Sequence, residues 1–237
     1  MPSGTAPADL LPTVVVDGVD IVHRVAGSRR VHAVKGVTFT AHRGEAIGLV
    51  GTNGSGKSTL LRAIAGLLPC ERGRIHTGGQ PSFMGVNAAL MDDLTGERNV
   101  VLGCLAMGMT RAQAREARSG IIAFSGIDDD GDFSSLPMRT YSSGMKARLR
   151  FAIGAAKDHE VLLVDEALAT GDAAFRRRSG RRIRELRERA GTVFLVSHSN
   201  TAVRDACDRV LWLERGELRM DGPTEEVLAA YTAFTSS

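Results

Sequence analysis

Residues 45–61 read EAIGLVGTNGSGKSTLL, and this stretch decides the fold. It starts with an apolar run typical of a buried strand, continues through a glycine-rich loop and then enters an apolar helix. The pattern G-x-x-x-x-G-K-[ST] is matched at Gly51, Gly56, Lys57 and Ser58. In such a loop, backbone N–H groups and the positive end of the following helix face an anion. The sequence therefore predicts a binding site for ATP or GTP.

The residue types of this loop suit a polyphosphate. Glycines at 51, 54 and 56 let bare backbone approach the ligand. Lys57 adds a mobile positive charge for the β- and γ-phosphates, and the Ser58 hydroxyl is a suitable ligand for Mg²⁺. A glycine-rich turn that binds nothing is the alternative, and the flanking strand and helix argue against it.

The composition indicates a folded domain that does not cross a membrane. The chain has 237 residues, of which 43% are hydrophobic, and a net charge of +3. No apolar run reaches the roughly 18–20 residues that span a bilayer, and the N-terminus does not resemble a signal peptide. We expect residues 1–12 to form a flexible tail and residues 13–237 to form the domain. The 3 cysteines are widely spaced, which indicates reduced thiols in a cytosolic protein.

Patterns along the chain predict strands around the loop and helices in the middle. Residues Thr13–Val25 and Val31–Thr40 alternate as an antiparallel pair, and Gly73–His76 begins another short strand. The apolar helix after the loop is predicted to include Leu67. Residues 91–158 have a helical character, and the α/β pattern resumes after them, so we predict an inserted helical subdomain.

Caps and breakers place the remaining elements. Thr95 is a predicted helix cap, and Thr110 with Gln113 forms a capping-box pattern. After the insertion we predict strands at Val161–Val164, Thr192–Val196 and Val210–Leu213. Helices are predicted between and after them: a basic helix at Ala173–Ala190, a second at Thr201–Cys207 and a final one at Pro223–Phe234.

Two carboxyl residues follow the apolar strand at Val161–Val164. Alone, this pattern favours a strand that ends in a polar turn. Beside a phosphate loop, Asp165 is expected to hold Mg²⁺ and Glu166 to polarise the attacking water. His198 ends the next apolar strand, and parallel strands that end side by side would bring it to the γ-phosphate. A lone histidine otherwise fits an ordinary core or surface residue.

A second anion site is predicted within the helical segment. Residues Tyr141–Met145 read YSSGM and open a helix with hydroxyl and free N–H groups. Alone, this stretch favours an ordinary helix cap. Because one chain already has a phosphate loop, a second phosphate-facing helix end makes sense if it serves a nucleotide bound to another subunit.

In this order the motifs resemble those of the nucleotide-binding subunits of ABC transporters, over nearly the whole chain. Residues 51–59 resemble Walker A, and residues 161–165 resemble Walker B. The resemblance implies nucleotide contacts for Asn53, Gly54, Ser55, Thr59, Ser142, Ser143, Gly144 and the D-loop residue Asp172. It also implies that Glu166 is the catalytic glutamate and His198 the switch histidine, while Ser58 and Asp165 hold the metal.

This resemblance implies the architecture and the assembly. The expected fold is α/β: a P-loop NTPase with a RecA-like core, an antiparallel β subdomain and an inserted helical subdomain. Two copies are expected to sandwich two ATP molecules with Mg²⁺ and to drive a separate membrane permease. The protein is therefore expected to lie peripherally on the cytoplasmic face of the plasma membrane.

Sequence variants narrow the resemblance to one branch. Three stretches resemble those of the polysaccharide exporters: YSSGM in place of LSGGQ, DEALATGDAAF at residues 165–175, and LTGERNV at residues 94–100. That branch exports O-antigens, teichoic acids, capsules and galactan, and the closest resemblance is to the actinobacterial galactan exporters. The expected cargo is a lipid-linked galactan or an O-antigen-like glycan carried by the permease, with teichoic acid or capsule as alternatives.

Some positions depart from the family pattern. The expected Q-loop glutamine is absent; Asn87 is the candidate replacement, and Gln80 lies earlier in the chain. His23 takes the place of the adenine-stacking tyrosine, with a weaker π-face. Ser143 and Met145 replace the Gly and Gln of the common signature.

Rival functions are less consistent with the sequence. A nucleic-acid-associated ABC ATPase is favoured by the eight arginines of residues 175–190, which could contact phosphates. Such proteins generally fuse two ATPase modules or carry a long coiled coil, and neither is expected to fit in 237 residues. The interleaved aromatic residues that stack on single-stranded nucleic acid are also missing from the arginine-rich segment. No nucleic-acid partner is therefore expected. The intact Lys57, Asp165, Glu166 and His198 argue against a non-hydrolysing structural partner.

Overall fold

The computed structural model describes residues 11–25, 29–84, 90–165, 173–189, 191–197 and 199–236. The strands are β1 Pro12–Val25, β2 Arg29–His42, β3 Ala46–Val50, β4 Arg72–Thr77, β5 Ser82–Met84, β6 Val161–Asp165, β7 Thr192–Val196, β8 Arg209–Glu214 and β9 Glu217–Pro223. The helices are α1 Lys57–Ile64, α2 Gly96–Ala106, α3 Arg111–Ser125, α4 Ser143–Gly154, α5 Ala173–Arg189, α6 Asn200–Ala206 and α7 Thr224–Thr235.

Two sheets form the framework of the fold. A three-stranded antiparallel sheet has the order β2-β1-β4, which confirms the predicted pairing of the first two strands. A six-stranded sheet has the order β5-β6-β7-β3-β8-β9 and is parallel except for β9. β3 and β7 are buried along their whole length, because helices and the other sheet cover both faces.

The parallel sheet divides the core into two layers. Ile47 and Leu49 of β3 point to one face, where they pack with α1 and the antiparallel sheet. Ala46 and Val50 point to the other face, where Phe151 of α4 belongs to the same apolar cluster. Successive side chains of a strand alternate between the two faces, so this continuous apolar run supplies both layers.

Helices α2, α3 and α4 lie between β5 and β6 in the sequence, and they enclose a third apolar cluster. The Thr95 side chain accepts a hydrogen bond from the Arg98 N–H, and Thr110 and Gln113 form the predicted capping box. Tyr141 donates to the Phe133 carbonyl at 2.6 Å, and burial raises its pKa to about 12. The predicted helical insertion is thus present with its predicted caps.

The end of one helix and the presence of two edge strands differ from the sequence-based expectation. Helix α1 ends at Ile64 and Gly66 adopts a φ of +73°, so Leu67 lies beyond the helix and is 46% exposed. The short edge strands β5 and β9 were not predicted, since β5 has three residues and β9 alternates with mostly polar side chains. The predicted turn at residues 26–28 lies outside the described residues. The three cysteines are free thiols, as predicted.

Candidate functional site

The glycine-rich loop joins the end of β3 to the start of α1. Gly51 has a φ of +147°, and a Cβ there would strike the carbonyl oxygen of Leu213. Gly56 has a φ of +105°, and a Cβ there would strike the carbonyl oxygen of Ala33. Both positions therefore require glycine for conformation and for space.

Helix α1 begins with uncapped N–H groups. Gly56 is the residue before the helix and has no side chain to cap it, and no acidic residue lies in the first turn. The first N–H groups of a helix have no partner within the helix, and the macrodipole adds partial positive charge there. This end of α1 is accordingly suited to a phosphate group.

Lys57 places its ammonium group within the loop. Its Nζ donates to the carbonyl oxygens of Gly51 at 2.7 Å and Thr52 at 2.9 Å, and it lies 3.4 Å from Ser55 Oγ. The residue is only 7% exposed. A positive charge held by loop carbonyls can move to the β- and γ-phosphates when a nucleotide enters.

Ser58 and Asp165 meet beside this lysine. The Ser58 hydroxyl donates to Asp165 Oδ1 at 3.3 Å, although the residues are 107 positions apart. A hydroxyl and a carboxyl oxygen are the donors that Mg²⁺ prefers, with nucleotide phosphates and water completing the shell. In the described parts of the chain, no cluster of three or more His, Cys, Asp and Glu side chains could hold a metal alone. The pair fits a metal that arrives with a nucleotide.

A cavity of about 340 Å³ lies at the loop. Its walls come from β1, β2, the loop, the start of α1 and β7. It is lined by His23, Val31, His32, Ala33, Asn53, Gly54, Ser55, Gly56, Lys57, Ser58, Thr59 and Val196. Most of the residues predicted to bind nucleotide thus line one cavity, together with Val31, His32, Ala33 and Val196, which were not predicted.

His23 lies on the β1 wall of this cavity. Its Nε2 is 3.1 Å from Thr59 Oγ1, so the ring is held against the first turn of α1. Val31 is its cross-strand partner on β2 and is 44% exposed. An imidazole and an aliphatic side chain at the cavity mouth suit the flat face of a nucleobase.

The second predicted anion site lies elsewhere on the chain. The Ser142 side chain accepts the Met145 N–H at 3.2 Å and caps α4, and Ser143 and Gly144 form the first turn of that helix. Ser142 and Ser143 are exposed. None of these three residues lines the cavity at the phosphate loop. This separation fits a site that faces a different subunit.

Four residues to which the sequence analysis assigns a role lie outside the described residues: Glu166, Asp172, His198 and the Q-loop candidate Asn87. The strands before Glu166 and His198 end next to each other, because β6 and β7 are parallel and Asp165 pairs with Val196. The expectation that these two strands end side by side is therefore confirmed. Gln80 lies in the described part and lines a separate groove.

A family model described as ABC transporter matches residues 34–169, more than half of the chain. The chain belongs to the ABC transporter family. It carries the ATP-binding ATPase domain of that family, and the predicted fold class is confirmed. The site described above is the part of this domain that contains the family's phosphate loop.

Curated relatives include teichoic acids export ATP-binding proteins named TagH. The protein from Staphylococcus saprophyticus is 38% identical over 215 residues, which are 91% of this chain and 80% of that protein. The protein from Enterococcus faecalis is 39% identical over 85% of this chain but only 44% of its own length. A relative from Listeria innocua is also 39% identical, and 59% of it is covered. The chain thus spans about half the length of several of these relatives.

Solved structures share the fold at lower identity. A dimeric ATP-binding cassette, MJ0796, bound to ADP and Pi has a TM-score of 0.77 at 21% identity, covering 89% of this chain and 98% of its own. An ATP-binding subunit of an ABC transporter has a TM-score of 0.78 at 21% identity, covering 93% of each chain. These likenesses establish the fold.

Proposed function

We propose that this protein hydrolyses ATP to power the export of a lipid-linked polysaccharide through a separate membrane permease. The main support is the likeness over 85–91% of the chain to proteins that export teichoic acids. The phosphate loop, with Lys57 inside it and Ser58 next to Asp165, supplies the nucleotide chemistry. The cargo is a long anionic or neutral glycan, either of the teichoic acid type or of the galactan type that the sequence motifs favour.

The chain's own residues have separate tasks in this reaction. Mg²⁺ would be held by Ser58 and Asp165 and would neutralise charge on the phosphates. Lys57 binds the β- and γ-phosphates, and His23 with Thr59 positions the base and the adjoining phosphate. Glu166 orients the attacking water, and His198 contacts the γ-phosphate.

The assembly is a homodimer with two ATP molecules at the interface. Ser142, Ser143 and Gly144 of one copy face the nucleotide held by the other copy, and Asp172 lies at the same interface. Support comes from the exposed α4 N-terminus, which lies outside the cavity of its own chain.

We expect Glu166→Gln to bind ATP, to hydrolyse little and to accumulate as a dimer in size-exclusion chromatography. Unchanged turnover would remove Glu166 from this role.

The permease docks in a groove between the core and the helical insertion. This groove, of about 480 Å³, is lined by residues just after α1, at β5, at the end of α2 and before β6. A partner seated there touches both parts of the domain and would sense their relative motion. Leu67 is exposed at its rim, so Leu67→Glu should reduce co-purification of the permease without changing ATP affinity.

The location follows from the partner. No helix in the described ranges is long and apolar enough to cross a bilayer. We place the protein peripherally at the cytoplasmic face of the plasma membrane, attached through the permease.

Depletion of the protein in its host tests the export function. Lipid extracts of depleted cells should accumulate a lipid-linked polysaccharide, and the sugars in that polymer identify the cargo. A galactose-rich polymer would support galactan as the cargo, and a polyol phosphate polymer would support teichoic acid as the cargo. Normal lipid-linked glycan levels in depleted cells with blocked growth would contradict polysaccharide export.

A further inference from the structure

A buried carboxyl group holds the phosphate loop from the end of β8. The Thr52 hydroxyl lies 3.0 Å and 3.1 Å from the two carboxyl oxygens of Glu214. Glu214 is only 8% exposed. Burying a carboxyl group is costly unless it is hydrogen-bonded, so this contact is a specific feature of the loop's environment.

The same segment contacts the loop at two further points. The Gly216 N–H donates to the Ser55 carbonyl at 3.0 Å. The Leu213 carbonyl packs so closely on Gly51 that a Cβ on that glycine would strike it. The end of β8 and the turn that follows it therefore contact the loop at its beginning and near its end.

Thr52 connects this contact to the nucleotide-binding lysine. Its hydroxyl donates to Glu214, because an ionised carboxyl group only accepts hydrogen bonds, while its carbonyl oxygen accepts from Lys57 Nζ at 2.9 Å. One residue is thus held through its side chain by Glu214 and through its main chain by Lys57. A displacement of Thr52 would move the carbonyl that orients the lysine.

We propose that Glu214 is a positioning residue for nucleotide binding. By fixing Thr52, it holds the loop in the conformation that receives the phosphates before the nucleotide arrives. Such preorganisation raises affinity, because the ordering of the loop does not have to occur upon binding. The proposal rests on the proposed phosphate-binding role of the loop, and it assigns to Glu214 no contact with the nucleotide.

The first variants change the hydrogen bond from either side. Thr52→Val keeps the side-chain shape and removes the hydroxyl, Thr52→Ser restores the hydroxyl, and Glu214→Gln removes the charge of the acceptor. We expect the Kd for a fluorescent ATP analogue to rise about tenfold in Thr52→Val, as for the loss of a hydrogen bond to a charged group. Thr52→Ser should bind within about twofold of the wild type, and kcat should change less than KM.

The double variant and a matched control test specificity. Thr52→Val with Glu214→Gln should bind about as weakly as Thr52→Val alone, because without the Thr52 hydroxyl the residue at position 214 has no hydrogen bond left to weaken. Glu217→Gln changes an exposed carboxyl group of the same hairpin, which pairs with Lys35 at 3.7 Å, and should leave the Kd unchanged. Should valine at position 52 prevent folding, Thr52→Ala provides the same comparison.

Several outcomes would overturn the proposal. Wild-type affinity in Thr52→Val, equal losses in Thr52→Ser and Thr52→Val, or additive effects in the double variant would each do so. A lower unfolding temperature with an unchanged Kd would show that the contact is only structural. Lys57→Ala distinguishes a failure of the phosphate-loop assignment from a failure of the role of Glu214. If Lys57→Ala retains ATP affinity, the phosphate-loop assignment fails. If Lys57→Ala loses affinity while the Thr52 and Glu214 variants keep it, only the role of Glu214 fails.

Discussion

Ser58 Oγ and Asp165 Oδ1 lie 3.3 Å apart, one in the first turn of α1 and the other at the end of β6. The strand order explains this proximity, because only β7 separates β6 from β3, whose loop leads into α1. The carboxyl ends of the parallel strands therefore meet at the phosphate loop, as in other open α/β sheets. Two oxygen ligands that are distant in the sequence become neighbours at the place where a nucleotide would bring its metal.

Asp165→Asn tests this pair as a metal site. The substitution keeps the size of the side chain and removes a negative charge next to Ser58, so the Mg²⁺ concentration for half-maximal ATPase activity should rise at least about tenfold. Asp158→Asn, at an exposed position before β6, is the control and should not change it. An Mg²⁺ requirement unaltered in Asp165→Asn would contradict the assignment.

Gly56→Ala tests the geometry of the loop. The added Cβ would meet the Ala33 carbonyl at a φ of +105°, so the loop and β2 must separate. We expect the free energy of unfolding to fall by about 2 kcal/mol and ATP affinity to be lost. Gly54→Ala also has a positive φ but open space around the Cβ, so its effect should be smaller. Equal effects in chemical denaturation would argue against the steric explanation.

Ser142 offers a way to separate helix capping from nucleotide recognition. Ser142→Ala should cost about 1 kcal/mol of unfolding free energy, because the Met145 N–H loses its acceptor. Ser142→Asp should keep the cap and the stability but place a negative charge towards the partner's phosphates, so ATP-dependent dimerisation should be lost. Analytical ultracentrifugation with ATP measures dimerisation of both variants. Normal dimers in Ser142→Asp would contradict the assignment of this helix end to the dimer interface.

His159 gives the protein a pH-dependent stability. Burial lowers the pKa of this histidine, although its Nε2 donates to the Gly154 carbonyl at 3.0 Å. Its contribution is therefore fully present above the unfolded-state pKa of about 6.5 and is lost as the pH falls towards the lower folded-state value. His159→Gln should show a smaller decrease of unfolding free energy between about pH 7.5 and pH 5.5. The same pH dependence in both proteins would contradict this.

Local patterns were sufficient to predict much of the fold and of the site. The apolar runs at Ala46–Val50 and Val161–Val164 form strands that are buried on both faces, as such continuous runs predict. The caps at Thr95 and Thr110 depend only on nearby residues. Likewise, the loop residues are specified by a contiguous motif, and residues 53–59 line one cavity.

Non-local contacts could not be predicted from such patterns. Glu214 meets Thr52 across 162 positions, and nothing in the local sequence of either residue indicates the contact. Strand β5 is defined by pairing with β6, since Phe83 is buried but three residues carry no recognisable period. The end of α1 depended on Gly66, whose positive φ outweighed the apolar pattern that continued to Leu67.

The most direct measurement is a complementation experiment in cells depleted of this protein. Wild-type protein and Lys57→Ala would be expressed at equal levels, and lipid-linked polysaccharide would be measured in lipid extracts. We predict that the wild type clears the accumulated polymer, while Lys57→Ala, which cannot bind the nucleotide phosphates, leaves it in the cell. Clearance by Lys57→Ala at the wild-type rate would contradict export driven by ATP at this site.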